Sequence, residues 1–425
     1  MILDLKIDNL ALGGRGVGRS DGKAVFVPYT VPGDVVRCRV VRDKKSYCEA
    51  ELVEILTPST ARIAAGCPVF AECGGCQWQH LSYQEQLAWK ERLFRETMSR
   101  ALTVDDSVFA PIVASPQSLG YRCRAQFKCR MTDGGFVAGF YRSGSHYVVD
   151  IDACPLLAPD LNRLFAALKP LFSSYSLAHR VPQLDVSVDD AGQLALIVHF
   201  LDEDHTSLAL LLEPIAREVP CAVYAQKGRK ESLVELFAGP PQAIRPFSDM
   251  ALRFPPGGFV QVNLDQNRRL VADVLAQVPP GSRVLDLYCG IGNFSLPIAT
   301  VSTSVLGIEG YAPAIEMARE NARRLGIDNA EFITDDAAAG LLSVQPGQYD
   351  IVLLDPPRSG AYDVARRLVE LQPSTILYVS CDPMTLGRDL QKLCNNGYRP
   401  VALRAYDMFP QTAHIEGLAI LELES

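Results

Sequence analysis

Val284-Leu-Asp-Leu-Tyr-Cys-Gly-Ile-Gly-Asn293 begins as a strand and closes on a glycine turn. Val284 to Leu287 is apolar except for Asp286, the composition of a strand buried in a parallel sheet. Gly290 and Gly292 then break the run; glycines there let the backbone come close to a ligand. A dinucleotide site of the Gly-x-Gly-x-x-Gly kind wants a third glycine where this chain has Ser295. The following strand ends at Glu309, seventeen residues past Gly292, and an acid at that strand end suits the two hydroxyls of a ribose. These features fit S-adenosylmethionine better than NAD.

Outward from this stretch, strand candidates at 283–288, 304–309, 330–334, 349–354 and 375–380 alternate with helical segments. That pattern predicts a doubly wound, Rossmann-like α/β domain with a mostly parallel sheet over residues 256–425. Two further motifs fall at strand ends, where open α/β sheets bind ligands. Asp350-Ile-Val-Leu-Leu-Asp355-Pro-Pro-Arg358 ends an apolar strand in an acid and two prolines. A related Asp-Pro-Pro-Tyr signature marks methylases of exocyclic amines, whose aromatic stacks on the base; Arg358 stands there instead, against amine methylation. Val379-Ser-Cys381-Asp-Pro383 places a cysteine at the same sheet edge. A packing cysteine is the plain alternative. The chemical reading is a nucleophile: uracil C5 cannot take a methyl group from a sulfonium until a thiolate adds to C6 and makes C5 enolate-like. The C5 proton must then leave, and Glu416, in Asp407-Met-Phe-Pro-Gln-Thr-Ala-His414-Ile-Glu416, is a candidate base near an irregular turn.

The front of the chain reads differently. Residues 1–58 are short strands with Gly and Pro turns, predicting a small OB-like β-barrel; Lys44-Lys45 is either a solvated hairpin tip or a phosphate contact. Residues 59–255 mix strands and helices in an α+β domain. Within it Ser82-Tyr-Gln-Glu85 forms a capping box opening a helix with Leu87, Leu93, Phe94 and Met98 at helical spacing. In 121–130, Arg122, Arg124, Lys128 and Arg130 share one parity and Cys123, Ala125, Phe127 and Cys129 the other, so a strand there shows a cationic face that is either solvated or phosphate-binding.

Composition bounds the class. The chain has 425 residues, 48% hydrophobic and 21% charged, which excludes a disordered, collagenous or coiled-coil protein. No apolar run approaches the ~18 residues of a membrane helix, so no membrane association is expected. The N-terminus reads as no secretory signal, making the cytoplasm the expected compartment. There the 12 cysteines are not expected to form a disulfide framework, and clustered ones read as metal ligands or nucleophiles. The net charge of −8 is uneven: residues 1–150 carry 19 basic and 16 acidic side chains, the remainder 22 and 33. A polyanion partner is therefore expected at the front.

Cys381 in Ser-Cys-Asp-Pro, Asp355-Pro-Pro-Arg, Phe259-Val-Gln261-Val-Asn263 and the His414-Ile-Glu416 ending resemble the RNA (uracil-5-)-methyltransferase family over nearly the whole chain. The resemblance implies methylation of uridine C5, with Cys381 as nucleophile and Glu416 as proton acceptor. It implies S-adenosylmethionine contacts at Gln261, Tyr288, Asn293, Glu309 and Asp355, and at Asp336, where the family often has Asn. The N-terminal barrel resembles a TRAM RNA-binding domain. Together with the cysteines it points to the 23S rRNA branch; a tRNA uridine-5 methyltransferase is the alternative. Cys67, Cys73 and Cys76 with the remote Cys154 resemble the family's [4Fe-4S] site, and a structural zinc site is the rival for four thiolates. Phe259 is either a stacking platform for the target base or a core residue. An iron–sulfur RNA-binding or sensor protein with an inactive methylase domain is a rival of another class, disfavoured by the intact Cys381, Glu416 and Asp355. No protein partner is implied.

Overall fold

The computed structural model describes residues 1–228 and 232–424. Its C-terminal body is an eight-stranded sheet in the order Ala330–Thr334, Ser304–Glu309, Arg283–Leu287, Ile351–Leu354, Thr375–Ser380, Glu416–Leu423, Tyr398–Tyr406, Phe109–Val113. The first five strands are parallel, and Glu416–Leu423 runs antiparallel to Thr375–Ser380. The sequence-predicted Rossmann-like arrangement is thus present, with strand order reversing between Arg283–Leu287 and Ile351–Leu354. That reversal opens the ligand crevice of such sheets. Ile351 to Leu354 are all buried, as a central parallel strand requires. Helix Tyr362–Leu371 covers the sheet with Val364, Ala365, Leu368 and Leu371 at helical spacing.

One edge of this sheet comes from elsewhere in the chain. Helix Tyr83–Ala101 and strand Phe109–Val113, inside the 59–255 span, pack on the C-terminal body. Leu93, Phe94 and Met98 share a core with Leu386 and Leu390, and Phe109 pairs in register with Leu403. Ser82 caps the helix by accepting from the Glu85 amide at 3.3 Å.

The rest of the middle span forms a seven-stranded sheet whose inner face is covered by helices Pro159–Ser174 and Thr206–Glu218. Strand Arg124–Thr132 keeps the expected alternation, with Ala125, Phe127 and Cys129 buried and Phe127 stacked on Phe165 at 3.9 Å. The N-terminal six-stranded sheet curls around Leu5, Ile7, Val25, Val27, Val36, Cys38, Cys48 and Ala50. Gly18 is needed for close packing there: a Cβ on it would lie 2.3 Å from the Lys6 carbonyl oxygen. Lys44 and Lys45 are exposed. Among the described residues no helix is long and apolar enough to cross a membrane.

Candidate active site

The parallel strands deliver their last residues to one edge. Tyr288 follows Arg283–Leu287, Glu309 ends Ser304–Glu309, Asp355 follows Ile351–Leu354 and Cys381 follows Thr375–Ser380. The antiparallel strand arrives at the same edge with its first residue. Ser380 pairs with Gly417, so Glu416 lies one step further, across from Cys381. Helix Pro383–Cys394 starts directly after Cys381, capped by Asp382, which accepts from the Met384 and Thr385 amides.

Glu416 is only 2% exposed. Burial, then the Asp355 charge, pushes its carboxyl well above the ordinary range, against the pull of Arg358. Burial also raises the Asp355 carboxyl above its ordinary range. Burial, then Glu416, also pushes the Cys381 thiol up to about 11; Arg358 opposes this and Asp355 adds to it. The four groups therefore feel one another, with Arg358 as the local cation. Its Nη2 lies 3.5 Å from His414 Nε2, and burial holds His414 down at about 4, so that imidazole is neutral.

The glycine turn lies on the other side of Asp355. Tyr288 takes φ +65°, unusual for a non-glycine residue, while its amide donates to the Ile308 carbonyl at 2.8 Å. Burial pushes its phenol to about 12, and the charges of Asp336, Asp389 and Glu309 act in the same direction. A Cβ built on Gly290 meets nothing within 4 Å, so backbone there borders open space. Asp286 is fully buried and accepts from the Ser295 hydroxyl, yet its Oδ1 has no hydrogen-bond partner among the described residues. Burial raises it to about 7, with Asp355 and Glu309 contributing. An edge holding several carboxyls and an orphaned carboxylate oxygen is the environment a cationic ligand would relieve.

The other sequence-derived positions are placed less simply. Asn293 exchanges two hydrogen bonds with Asn267, at 2.8 and 3.1 Å, committing much of its amide to helix Leu264–Leu275. Gln261 is buried two residues before Asn263, the cap of that helix. Asp336 caps a short helix, its Oδ1 accepting from Ala338 and Ala339 and leaving Oδ2 free of those contacts. Glu309 accepts from the Tyr311 amide at 2.8 Å through Oε1. Phe259 is 69% exposed, which removes the core reading.

The turn before Glu416 is held by residues that hydrophobic periodicity did not single out. Lys90, fully buried, donates to Asp407 Oδ1 at 2.6 Å and to the Phe409 carbonyl at 3.0 Å. Gln86 and Gln411 exchange two hydrogen bonds of 2.9 Å, and the Gln77 and Trp78 amides donate to the Gln411 carbonyl. Gln86, Lys90 and Phe94 fall four apart on the buried helix face. A lysine at core-facing spacing was the available signal.

Cys67, Cys73, Cys76 and Cys154 line one cavity of about 80 Å³, walled also by apolar side chains including Phe140 and Leu156. Burial raises Cys76 to about 12. Among the described residues no three His, Cys, Asp or Glu side chains stand arranged to hold a metal ion. The cationic strand face of residues 122–130 is revised: Arg122 turns into this cavity, next to Cys76 and Cys154, and Arg124 donates to the Gly258 carbonyl at 2.7 Å. Lys128 and Arg130 remain on the outer face, with Asp185 on the adjacent strand beside Gln126.

The Rossmann-like sheet with a glycine-turn crevice at its carboxyl edge is that of an S-adenosylmethionine-dependent methyltransferase. Residues 82–423 match the tRNA (uracil-5-)-methyltransferase family, and residues 3–61 match the TRAM domain of tRNA (uracil(54)-C(5))-methyltransferase. The chain belongs to that methyltransferase family. It is 37% identical to the 23S rRNA (uracil(1939)-C(5))-methyltransferase RlmD of Alkalilimnicola ehrlichii, covering 99% of this chain and 97% of that one. It is 38% identical to the RlmD of an Azoarcus species, covering 98% of each. Among solved structures, the tRNA (uracil-54, C5)-methyltransferase of Pyrococcus abyssi, in complex with S-adenosyl-L-homocysteine, matches with a TM-score of 0.76 at 27% identity. That match covers 99% of this chain and 100% of the other.

Proposed function

We propose that this protein methylates C5 of a uridine in 23S rRNA, forming 5-methyluridine. The observation that carries the reading is Cys381 facing the buried Glu416 at the strand edge, with Asp355 beside both. Cys381 Sγ, as thiolate, forms a bond to uracil C6, and electrons move through C5 to the carbonyl oxygen at C4. S-adenosylmethionine, when bound, supplies a methyl group on a cationic sulfur. After C5 gains that methyl group, the Glu416 carboxylate takes the C5 proton, the C5–C6 double bond re-forms and the Cys381 thiolate leaves. Burial suits Glu416 to this: a carboxylate with a raised pKa is a stronger base once ionised.

Gln261, Tyr288, Asn293, Glu309, Asp336 and Asp355 would hold the cofactor. The orphaned Oδ1 of Asp286 and the open space at Gly290 support a cationic, closely held ligand there. The exposed Phe259 would stack on the extruded base, offsetting part of an unstacking cost of a few kcal/mol. The curled N-terminal sheet would bind flanking RNA.

The four thiols would carry a [4Fe-4S] cluster. Direct ligation of one zinc ion, at about 2.3 Å per sulfur, draws four thiolates together with no space among them. A shared cavity suits a larger cubane, and the Arg122 guanidinium beside Cys76 and Cys154 would offset the cluster's negative charge.

The likeness to the Pyrococcus abyssi enzyme keeps tRNA as a second reading of the substrate. Mass mapping of 5-methyluridine in rRNA and tRNA from a strain lacking this chain tests both. Loss of one 5-methyluridine from 23S rRNA supports the proposal; loss from tRNA alone replaces it with the second reading; loss from neither overturns both.

A further inference from the structure

The hairpin following strand Gly135–Tyr141 carries a group of side chains that the methylation site does not use. Tyr141 and Tyr147 are 38% and 61% exposed. Each ring has a cation against it: Lys128 Nζ lies 5.7 Å from the Tyr141 ring centre and the Arg142 guanidinium 5.0 Å from that of Tyr147. His146 meets Tyr141 edge-on at 5.4 Å. Beside Tyr141 is a surface hollow of about 450 Å³ lined by Gly74 and residues 141–146, with Tyr147 just outside it; Arg142 also reaches the exposed Glu72 carboxylate at 3.9 Å, a solvated surface pair that a phosphate would displace. Exposed rings backed by cations cost surface hydrophobicity and serve no core. They are what sequence-tolerant single-stranded RNA sites are made of, since every base has a face to stack and a phosphate beside it.

The hollow is also fixed in place. The Gly74 amide donates to the Tyr141 carbonyl at 2.9 Å, and Cys73 forms an isolated bridge with Arg142. A Cβ on Gly74 would lie 3.0 Å from both the Tyr141 oxygen and the Ser143 amide, so any side chain there would press on the backbone of the hairpin. The loop bearing Cys73 and Cys76 thus forms one wall of the hollow.

We propose that Tyr141, Arg142 and Tyr147 form a second RNA subsite, which takes an unpaired nucleotide flanking the target, its base stacked on a tyrosine and its phosphate on Arg142. This rests on the RNA-methyltransferase reading above but assigns a site separate from Cys381. The test uses the full-length protein and a transcript of the 23S rRNA region holding the methylated uridine. Tyr147→Ala and Arg142→Ala should raise the RNA KM and Kd about tenfold each, the fold-change that ~1.4 kcal/mol represents, with kcat and S-adenosylmethionine Kd unchanged. Tyr147→Phe should retain wild-type values, because stacking needs the ring and not the hydroxyl. Ultraviolet cross-linking to 4-thiouridine-substituted transcript should mark the 141–147 peptide. RNA KM and Kd within twofold of wild type in the Tyr141→Ala/Tyr147→Ala double variant, or cross-links confined to other peptides, overturns the subsite while methylation stands. Wild-type protein that cross-links at 141–147 and methylates no uridine overturns the methylation reading and leaves the subsite.

Discussion

Replacing Lys90 with Met should disable the enzyme without touching any reacting atom. Lys90 and Asp407 are both completely buried and joined at 2.6 Å. Burial pulls the Lys90 ammonium down and the Asp407 charge holds it up. Without Lys90, Asp407 loses its cation, and its Oδ2 already lacks a hydrogen-bond partner among the described residues. Removing one member of a buried pair costs about 3–5 kcal/mol, a large part of the ~5–15 kcal/mol that typically stabilises a domain. The chain's two tryptophans flank the pair: Lys90 lies 5.9 Å from the Trp78 ring, and Trp89 is its neighbour in sequence. Tryptophan fluorescence during urea unfolding therefore reports this region. The double variant Lys90→Met/Asp407→Leu removes both charges, and such replacements are often neutral or stabilising. It should recover most of the lost stability. It should not recover kcat, because the bond from Lys90 to the Phe409 carbonyl, which steadies the turn before Glu416, is still missing. A Lys90→Met variant that loses under 1 kcal/mol, or a double variant with wild-type kcat, would refute this reasoning.

Three other outcomes are expected. Asp286 is raised to about 7 in the fold against an ordinary carboxylate value near 4 when unfolded, so the native state binds the extra proton. Stability from this group is present below pH ~4 and lost as pH rises through about 7, by about 4 kcal/mol for three pK units; thermal melts of Asp286→Asn should lack that pH-dependent loss. With its thiol near 11, Cys381 in the cofactor-free protein should be alkylated by iodoacetamide about tenfold faster per pH unit between 7 and 10, read by peptide mass mapping; a rate already constant by pH 8 contradicts the thiol's environment. Anaerobically purified protein should be brown and contain iron and sulfide, and Cys73→Ser should bleach it and make residues 60–155 protease-sensitive while S-adenosylmethionine affinity is kept; a colourless protein with stoichiometric zinc replaces the cluster.

What could be read from the sequence depended on how local the signal was. Tyr288, Glu309, Asp355 and Cys381 end apolar runs, and a parallel sheet sends every such end to one edge, so their convergence followed from the strand pattern alone. Glu416 begins its strand and arrives from the opposite direction. The irregular turn before it made it a candidate base and the resemblance gave it the role, but its place beside Cys381 could not be read, because strand order around Thr375–Ser380 is set by pairing that the pattern does not encode. Phe109–Val113 was out of reach for the same reason: five residues including Pro111 pair with a strand almost three hundred residues later. Arg122 shares the parity of Arg124 and Lys128 but precedes the strand, where period two no longer sets direction, and so turns into the cysteine cavity. Lys90 and Gln86 were passed over because an apolar pattern counts hydrophobic residues, whereas this helix face buries polar groups whose partners lie in the turn at 407–411.

The central claim is covalent catalysis by Cys381 with Glu416 removing the C5 proton. Its direct test is the Glu416→Gln enzyme incubated with S-adenosylmethionine and the rRNA transcript, then run on a denaturing gel and analysed by mass spectrometry. The account predicts a stable protein–RNA adduct through Cys381 that already carries the transferred methyl group, and no adduct when Cys381→Ala is added. Normal turnover by Glu416→Gln with no trapped adduct, or an adduct that persists without Cys381, would contradict it.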